Sequence, residues 1–391
     1  MKDLKQLAAL SAFALAGVGG APLASALDLT YIEGTNIPAP YVTYGDGNSY
    51  SLPVLGILYD YYNNGTTSNS ITPGNPYYVN SSPGAIKDLT VIGTGARGGP
   101  INTNFPGMDN AYPTPNSSGL EFFSTNKTAY TGLCGTNNCL LPNDPGGTNE
   151  FSGDAADTWD VRLTSLNDYT NNGSPVFFFN NNQVSSGDAE NQNLAIWAAL
   201  TLYDDQGALD PLTLYFTNGG GKYALVSEGG GGVLNGTAGS GTLGTPTGPL
   251  AGDNNATDYV LSGGALCYTA TMSVVSCTSP DAVGGPINHN LGANQAVYAV
   301  VFPALNDILA LADFGGYDVL SLDWRMGCDP NTDPNTSCTG SAGNHGRSLN
   351  NGYEQLFIGS MPRVTTVSEP ATLALLGSAL LGFAAMRRRK A

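Results

Sequence analysis

The sequence predicts an all-β protein: an antiparallel β-sandwich of jelly-roll or immunoglobulin-like type with long Gly/Asn loops, an N-terminal signal helix and a C-terminal membrane helix. Three observations carry this expectation. The chain holds 52 glycines and 20 tyrosines but only 12% charged residues, the opposite of the Ala/Leu/Glu/Lys bias that long amphipathic helices need. Several short segments alternate apolar and polar side chains with period two, as half-buried strands do. Clusters of Gly, Asn and Pro separate them, the punctuation of a sandwich or barrel.

Taken in order, Tyr50 to Tyr59 and Ala85 to Gly93 are the first strand candidates. Asp157 to Leu166 fits strand or helix. Pro175 to Phe179 is an apolar run closed by Asn180-Asn181-Asn182. Leu194, Ile196, Ala198, Leu200 and Leu202 line one face of a strand, with Trp197, Thr201 and Tyr203 on the other. Thr213 to Phe216 precedes Asn218-Gly219, a turn signal, and Tyr223 to Val226 follows at hairpin distance. Gln295 to Phe302, Tyr317 to Trp324 and Tyr353 to Ile358 complete the series. Pro303 to Asp313 places Leu305, Ile308, Leu309 and Ala312 at helical spacing and reads as a short helix between two strands. Gly229 to Gly252 is Gly/Ser/Thr/Pro-rich and reads as a flexible loop within one domain, residues 27–366, with a joint between two domains as the alternative. No fixed-period repeat is present.

Between its two ends the chain carries eight basic and twenty-nine acidic residues, a balance near −21. Such a body repels nucleic acid and anionic lipid and attracts cations. No nucleic-acid partner is expected. The six cysteines form three local pairs: Cys134 with Cys139, Cys267 with Cys277, Cys328 with Cys338. Three loop-stapling disulfides, formed in an oxidising compartment, are expected. Zinc has little to build on, because no pair has C-x-x-C spacing and the histidines are His289 and His345 alone.

The chemistry-bearing patterns are sparse. Both histidines lie in polar, Gly-rich surroundings and read as surface residues, which leaves a serine or cysteine triad nothing to use. There is no G-x-S-x-G elbow and no phosphate-binding loop. Asp204-Asp205 and the pair Asp154 and Asp157 are the carboxylates a glycosidase would need, but twenty-nine acidic residues produce such pairs by chance. No catalytic residue is assigned and no cofactor is expected. Calcium is the one ion suggested. Asp329, Asn331, Asp333 and Asn335 alternate inside the loop bounded by Cys328 and Cys338, as oxygen ligands do at the start of a Ca²⁺ loop. Pro334 and Gly340 stand where that loop normally has Gly and Glu, so a disulfide-held hairpin tip is the competing reading. Tyr61-Tyr62 and Tyr77-Tyr78, among Asn and Gly, are candidates for exposed rings that stack on sugars.

The two ends carry the most specific signals. Lys2 and Lys5, the apolar run Leu7 to Val18 and Ala24-Ser25-Ala26 form a signal peptide cleaved after Ala26 by signal peptidase. At the other end, Val367-Ser368-Glu369-Pro370 precedes the apolar stretch Ala371 to Met386, which Arg387, Arg388, Arg389 and Lys390 follow. That stretch is marginal for a permanent span, and the basic cluster holds its end in the cytoplasm. The arrangement resembles the PEP-CTERM sorting signal of Gram-negative bacteria, with Ser368 where the first Pro is usual. The resemblance implies recognition by an exosortase, a membrane-embedded cysteine transpeptidase, with cleavage near Glu369-Pro370. It also implies transient inner-membrane anchoring, a surface or extracellular destination and a host that makes exopolysaccharide. The expected function is therefore a non-catalytic surface or matrix protein associated with exopolysaccharide or biofilm. A polysaccharide-active enzyme and a carbohydrate- or calcium-binding module are the alternatives.

Overall fold

The computed structural model describes residues 27–67, 70–86, 89–95, 104–114, 122–125, 152–155, 157–182, 196–217, 233–235, 266–276, 279–292, 294–327 and 354–363. The described residues are mostly sheet with few helices and form no barrel. Its strands are β1 (Tyr41–Tyr44), β2 (Gly47–Ser51), β3 (Thr90–Thr94), β4 (Tyr112–Pro113), β5 (Phe122–Ser124), β6 (Trp159–Arg162), β7 (Ser174–Phe179) and β8 (Ile196–Tyr203). They continue as β9 (Leu212–Phe216), β10 (Val233–Asn235), β11 (Leu266–Tyr268), β12 (Val274–Ser276), β13 (Tyr298–Val301), β14 (Val319–Gly327) and β15 (Leu356–Met361). The α-helices are α1 (Leu52–Tyr59), α2 (Pro83–Ile86), α3 (Leu163–Tyr169) and α4 (Pro303–Ala310).

One sheet runs β10-β1-β2-β13-β7-β15-β3-β4. The second runs β9-β8-β14, and the far edge of β14 pairs with both β5 and β6. β11 and β12 form a separate hairpin. The apolar runs β7 and β13 are buried along their whole length because both lie inside the first sheet. β8 keeps its alternation: Ile196, Ala198, Leu200 and Leu202 are buried, while Ala199, Thr201 and Tyr203 are half-buried. Trp197 departs from it, buried on the outer face under the Arg325 guanidinium, 4.4 Å from the ring centre.

The two sheets share one apolar core, in a sandwich-like arrangement. Trp324 of β14 packs on Phe123 with ring centres 4.5 Å apart. Its ring also lies so close over Gly93 of β3 that any side chain there would collide with it. Phe216 of β9 meets Tyr44 and Phe302 edge-on at 5.3 and 6.3 Å.

Six sequence expectations change. The sheet is not wholly antiparallel, since β3 and β4 pair in parallel. Tyr50 to Tyr59 holds only the end of β2 and then the whole of α1. The Ser51 side chain accepts from the Val54 N–H and Pro53 sits in the first turn, a helix start that outweighs the apolar run. Because Leu52 to Leu58 are all buried, that helix has no polar face to reveal it. Strand β3 starts only at Thr90, after the short α2. Asp157 to Leu166 is both things in turn, β6 and then α3. The helix expected to Asp313 stops at Ala310, and Asp313, Phe314, Gly315 and Gly316 follow with φ of +49°, +47°, +67° and +93°. Within the expected loop 229–252, Val233–Asn235 pairs with β1. Tyr223 to Val226 lies outside the described residues. So do the signal peptide, the sorting tail and Asn218-Gly219. Among the described residues no helix is long and apolar enough to cross a membrane.

Candidate functional site

The densest polar grouping is where β6 meets β14. Asp160 of β6 is fully buried. Its Oδ2 accepts from the Ala155 N–H at 2.7 Å, the Thr158 hydroxyl lies 3.0 Å from both its oxygens, and the Ser321 hydroxyl donates to Oδ1. Asp109 Oδ2 in turn accepts from the Asp160 N–H at 2.8 Å. Asp154 completes the group: Asp109, Asp154 and Asp160 each bring an oxygen within 4.8 Å of the others. Burial pushes the Asp160 carboxyl up to about 6. The hydrogen bonds from Ser321, Ala155 and Thr158 oppose that shift, and the Asp154 charge adds to it.

An all-oxygen set of this kind suits a hard cation such as Ca²⁺. Against that, the Asp160 oxygens already accept from three donor groups, so an ion would have to displace N–H and O–H bonds. The arrangement works without an ion as a hub that ties loop 152–158, β6 and β14 together. The sequence paired Asp154 with Asp157; the fold brings it instead to Asp160, six residues on, and to Asp109, 45 residues back.

The second grouping corrects the reading of His289 as a surface residue. Its ring is 1% exposed and stacks on Tyr298 with centres 5.7 Å apart. Nδ1 lies 2.9 Å from the Ile287 carbonyl, and Nε2 lies 2.7 Å from Ser51 Oγ. A carbonyl only accepts, so Nδ1 carries the proton and Nε2 accepts from the Ser51 hydroxyl. Burial lowers the imidazole to about 4, so the ring is neutral at physiological pH. A serine–histidine pair is thus present. Where a triad has a carboxylate it has a backbone carbonyl, Ser51 Oγ also caps α1, and both side chains are sealed in the core. The pair staples the start of α1 to segment 287–289.

The third grouping lies where the β8–β9 loop meets the residue before β14. Asp204, Asp205 and Asp318 bring oxygens within 4.8 Å of one another, and Arg162 faces Asp205 at 3.8 Å. Backbone N–H groups of Gln206 and Ala208 hold Asp204 below the usual carboxylate range. Hydrogen bonds from Ser152 and Gln206, with the Arg162 charge, lower Asp205. Partial burial and the neighbouring Asp205 raise Asp318. Of the four tyrosines singled out as sugar platforms, Tyr77 is buried and Tyr61 and Tyr78 are half-buried. Tyr62 is 41% exposed, beside a small groove lined by Ile37, Pro38, Leu58, Met272 and Val274.

The calcium-loop residues Asp329, Asn331, Asp333 and Asn335 lie outside the described residues. So do His345, Cys134, Cys139, Cys277, Cys328 and Cys338. Cys267 is buried in β11.

No curated protein and no solved structure matches the chain. Two family models do. Residues 366–390 match the PEP-CTERM protein-sorting motif, one position earlier at each end than the tail read from the sequence. The motif implies export, processing by an exosortase and a cell-surface or extracellular destination. Residues 35–325 match the family described as "Domain of unknown function (DUF8239)", a span that runs from before β1 into β14 and holds all three groupings. That match covers well over half of the chain, so this PEP-CTERM protein belongs to the DUF8239 family.

Proposed function

We propose that the body is a non-catalytic surface or matrix component that an exosortase delivers to an exopolysaccharide or biofilm matrix, after signal peptidase has removed the leader. The observation that carries this reading is the sorting motif at residues 366–390, placed directly behind a folded acidic body. The treatment of its reactive groups supports it. His289 and Ser51 are spent on each other inside the core. Asp160 is spent on three donors, whereas a glycosidase needs two carboxyls separated by about 5 to 9 Å with room for the sugar between them. A body near −21 in charge stays soluble and gathers counter-cations outside the cell. The sandwich in this reading is of jelly-roll or immunoglobulin-like type.

The test is deletion of Val367 to Ala391, followed by fractionation of cells, matrix and medium. The full-length protein should pass through a membrane-bound precursor and reach the matrix, and the truncated protein should do neither. Identical distribution of the two would refute the sorting role. Release of reducing ends from the host's own polysaccharide by the purified protein would refute the non-catalytic one.

A further inference from the structure

The end of the body around Arg363 carries an inference that rests on the sorting reading above. Arg363 stands three positions before residue 366, where the sorting motif begins. Its guanidinium donates to the Leu309 carbonyl at the end of α4 at 2.6 Å, and to Asn167 Oδ1 and the Gly173 carbonyl, each at 3.1 Å. Ser360 adds a bond to the Thr170 carbonyl at 2.9 Å. The chain is thus pinned to the ends of α3 and α4 as far as Arg363.

From Arg363 to Ala371, where the apolar stretch begins, even a fully extended chain spans at most about 29 Å. A compact body of this length has a radius of gyration of about 20 Å, hence a width of about 50 Å. While the tail is in the membrane, the body cannot turn its far side to the membrane. The Arg363 end must face it.

That end has an unusual surface. Four of the five non-glycine residues with positive φ among the described residues flank it: Asn171 and Asn172 after α3, Asp313 and Phe314 after α4. Strained backbone of this kind concentrates at functional sites. Between α4 and its left-handed turn, Leu311 is 55% exposed. Asp307 and Asp313, within four residues of it, are exposed, as is Asp168, next to the Asn167 that Arg363 contacts. Those carboxylates are repelled by anionic lipid headgroups, so a protein fits this face better than the bilayer does.

We propose that this surface, centred on Leu311 and flanked by the 171–172 and 313–316 turns, docks on the extracytoplasmic face of the sorting transpeptidase before cleavage. The experiment is pulse-labelling of the full-length protein in a host that makes the exosortase, following conversion of the tail-bearing form. Leu311→Glu, Asp307→Lys and a ten-residue Gly/Ser insert after Arg363 should each slow conversion at least threefold, with signal-peptide removal and thermal melting unchanged. Wild-type rates for all three would overturn the proposal. If conversion of the full-length protein still requires the exosortase in that case, the sorting reading stands and only the docking surface falls. If the full-length protein is converted equally in a host that lacks the exosortase, both fall. Binding of the purified protein to phosphatidylethanolamine/phosphatidylglycerol vesicles, lost in Leu311→Glu, would overturn the choice of a protein partner.

Discussion

The Asp160 hub makes the stability of this protein depend on pH in an unusual direction. In the folded state the carboxyl titrates near 6, against 3.8 for the free group. The native state therefore holds a proton that the unfolded state gives up between those values. With more protons bound in the native state, the stabilisation is complete below about pH 4 and is lost as pH rises through 6. A difference of about 2 units at about 1.4 kcal/mol each amounts to roughly 3 kcal/mol. Asp160→Asn removes the titration and preserves the shape. Its amide oxygen can face the Ala155 N–H, and its NH₂ can face the Thr158 and Ser321 hydroxyls, which can rotate to accept. Urea denaturation of the exported protein and the variant, from pH 4 to pH 8, isolates the effect as a difference. Wild type should lead at pH 4 and lose about 3 kcal/mol relative to Asp160→Asn by pH 7. A difference that stays flat with pH, or that grows in favour of wild type as pH rises, would refute the assignment of the raised carboxyl to this hub.

Three further outcomes follow from the packing. Ser51→Ala removes the α1 cap and leaves His289 Nε2 buried without its donor, so it should cost about 1–3 kcal/mol in denaturant titrations; loss of an enzymatic activity without loss of stability would contradict the stapling role. Gly93→Ala places a methyl against the Trp324 ring and should destabilise by about 1–3 kcal/mol, a cost that should shrink when the same substitution is made in a Trp324→Leu background and read in the same titration. Non-reducing peptide mapping should return the Cys267 peptide joined to that of Cys277, and Cys267→Ser should cost about 2–4 kcal/mol; any other partner for Cys267 would refute the local pairing.

How much was legible in the sequence varies with the reach of the forces involved. β8 was visible because one of its faces is core and the other is half-solvated, which is what a period of two reports. α1 was hidden because every residue from Leu52 to Leu58 is buried, and periodicity vanishes when there is no wet side. His289 was misjudged from its polar neighbours. The signal that would have placed it was Ile287 and His289 sharing one face while Asn288 lies on the other, exposed one. The Asp160 hub was out of reach altogether. Two of its partners lie 51 residues away at Asp109 and 161 away at Ser321; a bridge between Met108 and Val161 brings the first and the register of β6 on β14 the second. The tail, by contrast, is a contiguous motif at residues 366–390 and was therefore readable locally.

The extent of the folding unit can be argued in the same terms. The DUF8239 match stops at residue 325, but the first sheet does not close there. β15 lies between β7 and β3, pairing with six residues of β7 and with Thr90, Val91 and Gly93 of β3. Its Leu356, Phe357 and Ile358 are 0–2% exposed. Phe357 stacks on Phe178 with ring centres 5.4 Å apart. Losing three such side chains costs about 2–5 kcal/mol each, and the strand's departure also leaves two inner strands with open ladders. The sum reaches the whole stability of an ordinary domain, about 5–15 kcal/mol. A chain ended after Gly327 should therefore be degraded or aggregate after export, whereas one ended after Arg363, which keeps β15 and its clamp on α3 and α4, should melt cooperatively at the temperature of the full body. Cooperative melting of the shorter chain would mean that β15 is an accessory strand and that the family unit is complete without it.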